Sequence, residues 1–140
     1  MYLTYIEYQA YGGTLDNTSF INYEFRARAE IDWVTFNRLK NDTKFDDSVK
    51  MCMFAIIGEL QKIDALSSVV TMDGVNNNTT TAAVSGMSND GVSVSYNIQS
   101  ANDGITNAKA NIKDVISKYL QGTTNELRQK LLYRGIYPNE

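Results

Sequence analysis

The side chains able to carry chemistry in this chain are few, and the densest set falls between positions 24 and 32. Glu24, Arg26, Arg28, Glu30 and Asp32 combine three carboxylates with two guanidinium groups, types that could hold a metal or a phosphate. Glu24/Arg28, Arg26/Glu30 and Arg28/Asp32 are, however, opposite charges at i,i+4. That is the pattern of a solvated helix face or a subunit contact. Asp42, Asp46 and Asp47 lack the spacing and the glycine of a calcium loop, and aspartate before a helix is ordinary capping. The chain has no His, which excludes imidazole triads, Cys–His pairs and imidazole metal sites. Its one cysteine, Cys52, permits neither an intrachain disulfide nor a thiolate zinc site. Beside Met53 and Ile56 it reads as a small core hydrophobe. Gly12-Gly13 matches no phosphate-binding loop and reads as a helix stop. No catalytic constellation emerges, so the expectation is a protein that is not an enzyme and needs no cofactor or metal.

These residues need elements to hold them. A short helix near 4–10 is expected before the Gly12-Gly13 stop. A longer one runs from Asn17 to about Leu39, with Asp16 as N-cap and Leu15/Phe20 as a hydrophobic staple. It is apolar on two sides: Phe20, Tyr23, Ala27, Ile31 and Val34 on one, Phe25, Ala29, Trp33 and Phe36 on the other. Two apolar faces mark a central helix or one shared with a neighbouring subunit. A second long helix, about 48–66, buries Val49, Cys52, Met53, Ile56, Leu60 and Ile63. Between 68 and 97 polar Asn/Thr tracts and the period-two run Val92–Tyr96 predict an inserted β-hairpin or long loop. Its partner strand falls at 68–72 or 81–84. A third helix from Asn102-Asp103 to about Gln121 carries Ile105, Ala108, Ile112, Val115, Ile116 and Tyr119, with Gly122 as its left-handed stop. Thr123-x-x-Glu126 reads as a capping box opening a fourth helix that ends near Gly135. The fold class is therefore mainly α: one domain, a small bundle of three to four helices with an insertion at about 68–97 and a tail after 135.

Composition agrees with a soluble globular chain. Of 140 residues 43% are hydrophobic and 21% charged, and the net charge of −3 argues against wholesale electrostatic binding of nucleic acid. No stretch reaches the length of a membrane span, and the N-terminus does not read as a signal peptide. The C-terminal third is locally basic, with Lys109, Lys113, Lys118, Arg128, Lys130 and Arg134 against Asp114 and Glu126. Leu131, Leu132, Tyr133, Arg134, Ile136 and Tyr137 place apolar and aromatic residues in a short terminal segment, as a docking surface does.

Several segments, in order along nearly the whole chain, resemble the head–tail connector (adaptor, neck) proteins of tailed bacteriophages. They are Tyr2–Tyr5 with Glu7-Tyr8 and Gly12–Thr14, Tyr23–Asp32 with Thr35–Leu39, Val49–Cys52, Ser88–Tyr96 and Leu131–Gly135. The resemblance implies a structural virion protein, made in the host cytoplasm of a phage or prophage. It would assemble as a ring, typically of twelve copies, beneath the portal protein. That ring extends the channel through which DNA passes without sequence-specific binding, and carries the stopper or tail-completion protein. It assigns portal contact to Leu131–Tyr137 and subunit contact to the helix bearing Glu24, Arg26, Arg28, Glu30, Asp32 and Trp33. The competing expectation is a small cytoplasmic regulatory module that contacts nucleic acid through the basic C-terminal helices.

Overall fold

A computed structural model describes residues 1–71, 84–87, 94–96 and 98–135. Among them are four helices: α1 (Tyr5–Ala10), α2 (Asn17–Val34), α3 (Asp47–Thr71) and α4 (Ile98–Leu120). The chain is mainly helical and forms a small bundle. Two short strands, β1 (Val84–Met87) and β2 (Val94–Tyr96), pair antiparallel with an irregular register. The rest of the expected insertion lies outside the described residues.

Local chemistry starts the first two helices. Thr4 and Glu7 form a capping box on α1, the Thr4 amide donating to Glu7 Oε2 at 2.9 Å. Asp16 caps α2 by accepting from the amides of Thr18 (3.0 Å) and Ser19 (3.3 Å). Gly12, at φ 90°, supplies the left-handed turn between them.

Helix α3 is the centre. Val49, Cys52, Met53, Ile56, Ile57 and Leu60 are buried along it, and it packs against α4 on one side and α2 on another. Phe20, Ala27 and Ile31 of α2, and Ala108, Ile112 and Ile116 of α4, close the core. The N-terminal stretch is tied down as well: Leu3 is fully buried, and Tyr8 meets Phe20 and Phe54 at ring separations of 5.0 and 5.6 Å.

Several boundaries differ from the expectation. Helix α2 stops at Val34 rather than near Leu39, because Phe36 and Asn37 take left-handed backbone at φ 56° and 60°. The Asn37 amide then bonds back to the Asp32 carbonyl at 2.9 Å, a Schellman-type closure. Helix α3 continues past Leu66 to Thr71, no Gly or Pro standing in its way before Gly74, and this removes the first part of 68–72 as a partner strand. Helix α4 begins at Ile98, so Asn102 and Asp103 are interior helical residues, not its cap. The expected fourth long helix at 123–134 does not form. Glu126 turns away from Thr123 to the α2–α3 connection, Arg128 adopts φ 61°, and Thr124 pairs with Lys130 in a β-bridge. Asn125 competes for the backbone too, its Oδ1 accepting from the Gln129 amide at 2.8 Å.

Candidate functional site

Two features of the surface stand out, and both belong to α2 and its C-terminal end. The first is the outer face of the helix. Its inner residues Phe20, Ala27 and Ile31 are buried, while Phe25 (64% exposed), Ala29, Trp33 (82%) and Phe36 (54%) line the opposite side in water, with Ile21 one turn before. Ile21, Phe25, Ala29 and Trp33 share one stripe at helical spacing, and Phe36 stands just past the end of the helix. Large aromatics left in a row on a soluble surface mark a contact site. Beside the stripe, α2 and α4 diverge over α3 and leave a groove of about 530 Å³. Leu60, Ile63 and Ile112 floor it, Phe25 and Ala29 form one wall, and Lys109 and Lys113 stand on the other.

The charged residues of α2 are largely spent within the subunit. Glu24 is buried; Oε1 accepts from the Tyr2 amide at 3.0 Å and lies 3.4 Å from Arg28 Nε. Arg26 does not pair with Glu30: its guanidinium makes a two-pronged bridge to Asp64 of α3, at 2.5 and 2.9 Å. That pair holds the Asp64 carboxyl below the usual carboxylate range. Asp32 accepts from the Tyr2 hydroxyl, and burial together with that carboxylate pushes the Tyr2 phenol well above its ordinary value. Arg28 also lies over the Phe25 ring at 5.5 Å. Glu30 is exposed and has no hydrogen bond or ion pair among the described residues, and Trp33 is the most exposed large apolar side chain among them.

The second feature is the anchoring of residues 123–135. Arg38, only 7% exposed, spreads its guanidinium over the backbone of this segment. Nη1 donates to the carbonyls of Lys130 (3.2 Å), Leu131 (3.3 Å) and Tyr133, and Nη2 donates to that of Gly135 (2.8 Å). Only a planar, multi-donor cation can satisfy so many acceptors at once. Asn125 Nδ2 returns a bond to the Arg38 carbonyl at 3.2 Å. On the far side of the segment, Glu126 Oε1 accepts from Thr43 (amide 2.9 Å, hydroxyl 2.8 Å) and from the Lys44 amide at 2.8 Å. The Glu126 amide in turn donates to Asp42 Oδ2 at 3.2 Å. The Thr43 and Lys44 bonds lower the Glu126 carboxyl, whereas burial raises that of Asp42.

The expected portal-contact residues divide accordingly. Leu131 is a fully buried core residue and Leu132 packs partly against the core. Tyr133 is half-exposed and Arg134 exposed. Ile136 and Tyr137 lie outside the described residues. The exposed side chains at this end are therefore Tyr133 and Arg134; the Arg38 guanidinium that binds the Tyr133 carbonyl also lies over the Phe36 ring at 5.3 Å. Sequence reasoning missed Arg38, Asn125 and Gln129, which stand mostly among polar and charged neighbours in sequence and so give no signal of burial or of partners far away in the chain.

Other candidate chemistry is absorbed by structure. Asp46 opens α3 through its carbonyl, which accepts from the Val49 amide at 2.9 Å. Cys52 is fully buried, and burial pushes its thiol up to about 12. Among the described residues no group of three or more carboxylates or thiols is placed to hold a metal ion. None of the described helices is long and apolar enough to cross a membrane. Compared with known proteins, the chain matches no family model, no curated protein and no solved structure.

Proposed function

We propose that this chain is a head–tail adaptor of a tailed bacteriophage or prophage: a structural subunit that joins a ring under the portal. There it would extend the DNA channel and seat the stopper or tail-completion protein. The observation that carries the reading is the set of uncovered aromatics, Phe25 and Trp33 on α2 and Phe36 just past its end, an apolar face suited to another protein chain. A closed ring needs two different complementary patches on each subunit, and α2 with the adjoining α2–α4 groove supplies one of them. The C-terminal segment supplies the contact toward the portal through Tyr133, Arg134 and the residues that follow. Its anchorage by Arg38 holds that contact in a fixed direction relative to the helical body. The insertion between α3 and α4 is read as a β-hairpin facing the channel or a neighbouring subunit. The net charge of −3 suits a channel wall past which phosphates slide without sticking.

Co-sedimentation with purified portal rings tests this. Removal of residues 136–140, or Tyr133→Ala with Arg134→Ala, should abolish addition to the ring while the helical content stays intact. Truncation from Leu131 is not an equivalent test, because it removes a core side chain. A folded wild-type chain that never joins the portal overturns the proposal.

A further inference from the structure

We propose that the outer face of α2 pairs with the same face of a second copy of this chain, antiparallel, about a two-fold axis at Ala29. The stripe is symmetric in chemistry about that residue. Phe25 lies four positions before it and Trp33 four after, about 6 Å along the axis on either side. Ala29 itself is small and exposed, which allows the two helices to approach closely at the crossing point.

The charges, by contrast, are antisymmetric about Ala29. Arg26 and Arg28 precede it; Glu30 and Asp32 follow. At 100° per residue Arg26 and Glu30 flank the stripe on one side, Arg28 and Asp32 on the other. Turning a second copy end for end brings its Glu30 beside Arg26, which keeps its bridge to Asp64, and its Arg28, already paired with Glu24, beside Asp32, which holds the Tyr2 hydroxyl. A parallel arrangement would instead set like charges together. Glu30 is free to join such a contact, having no hydrogen bond or ion pair among the described residues.

Shape and area fit the same partner. The two-fold operation carries Trp33 of the second copy to the level of Phe25 and Arg26, on the side where the groove of about 530 Å³ opens over Leu60, Ile63 and Ile112. That space accommodates an indole. Ile21, Phe25, Trp33 and Phe36 leave roughly 500 Å² of apolar surface uncovered at side-chain areas of this size. A standard interface of about 800 Å² per partner carries a similar nonpolar share. The contact is isologous, so it closes at two copies. It does not rest on the adaptor reading; within that reading it is the form of the unassembled subunit, and ring contacts replace it.

The experiment is sedimentation of the intact chain together with site-specific cross-linking. At about 100 μM, a concentration that reveals micromolar association, the wild type should sediment at twice the subunit mass. Glu30→Arg should raise the dissociation constant at least roughly tenfold by placing like charges together. Oxidation should link the Ala29→Cys variant to itself, since the axis passes through that position. The Thr18→Cys variant, on the same face but about 16 Å from the axis in each copy, should stay unlinked. Buried Cys52 adds no background. A wild type that remains monomeric overturns the proposal. So does a dimer in which Ala29→Cys fails to link, because the contact would then lie elsewhere.

Discussion

Replacing Arg38 with Met keeps the aliphatic stem in the core and removes the guanidinium donors that hold the carbonyls of Lys130, Leu131, Tyr133 and Gly135. Hydrogen bonds from a charged donor contribute about 1.5–3 kcal/mol each, but the four carbonyls share one guanidinium and partly rehydrate when it is lost. The expected cost is therefore about 2–4 kcal/mol for holding the segment in place, not a fourfold sum. Local opening should become cheaper by that amount. The Leu131 amide, which donates to the Thr123 carbonyl at 3.0 Å, should then lose about 30- to 1,000-fold of its exchange protection. Amides in the middle of α3 should lose much less. Arg38→Lys restores the charge but only one compact ammonium, and should recover less than half of the loss. Native-state hydrogen exchange, read residue by residue, measures all three. Unchanged protection at Leu131 in Arg38→Met would refute the view that this cation holds the C-terminal segment.

Other consequences are simpler to check. A Cβ at Gly58 meets no atom within 4 Å, so Gly58→Ala should stabilise the mid-helix position by about 0.5–1 kcal/mol, raising the thermal midpoint by a few degrees. Glu7 is held at about 2 by Lys50 and by Thr4, and a lowered carboxyl gives stability that is present above its unfolded value and lost as pH falls toward the folded one. Screening at this partly exposed site reduces the effect to about 1 kcal/mol, so the Glu7→Gln variant should show a flatter stability profile than the wild type between about pH 4.5 and 2, by denaturant titration. Cys52 should react with a thiol reagent no faster than the chain opens, and at full rate in denaturant.

What could be read from the chain alone was what neighbours in sequence decide. Asp16 and the Leu15/Phe20 staple announce the start of α2, and the spacing of Val49, Cys52, Met53, Ile56 and Leu60 announces the buried side of α3. The two apolar faces of α2 were equally visible, including the one that the structure leaves in water. Thr123-x-x-Glu126 misled because a capping box is a local pattern, whereas Glu126 is claimed by Thr43, 83 residues away. Arg38 finds its carbonyls 92 to 97 residues along the chain, a distance over which periodicity carries no information. The early end of α2 was hidden for a related reason. A phenylalanine at positive φ costs about 1–2 kcal/mol, and local propensity gives no warning of a strain that the Arg38 contacts compensate.

Native mass spectrometry of the full chain, mixed with a portal ring encoded beside it, tests the proposed adaptor role most directly. A head–tail adaptor adds to the ring in a fixed number of copies, about a dozen for a matched closed ring. It should lose that ability when Tyr133 and Arg134 are replaced. A well-folded chain that leaves the portal ring unoccupied at every ratio would contradict the role.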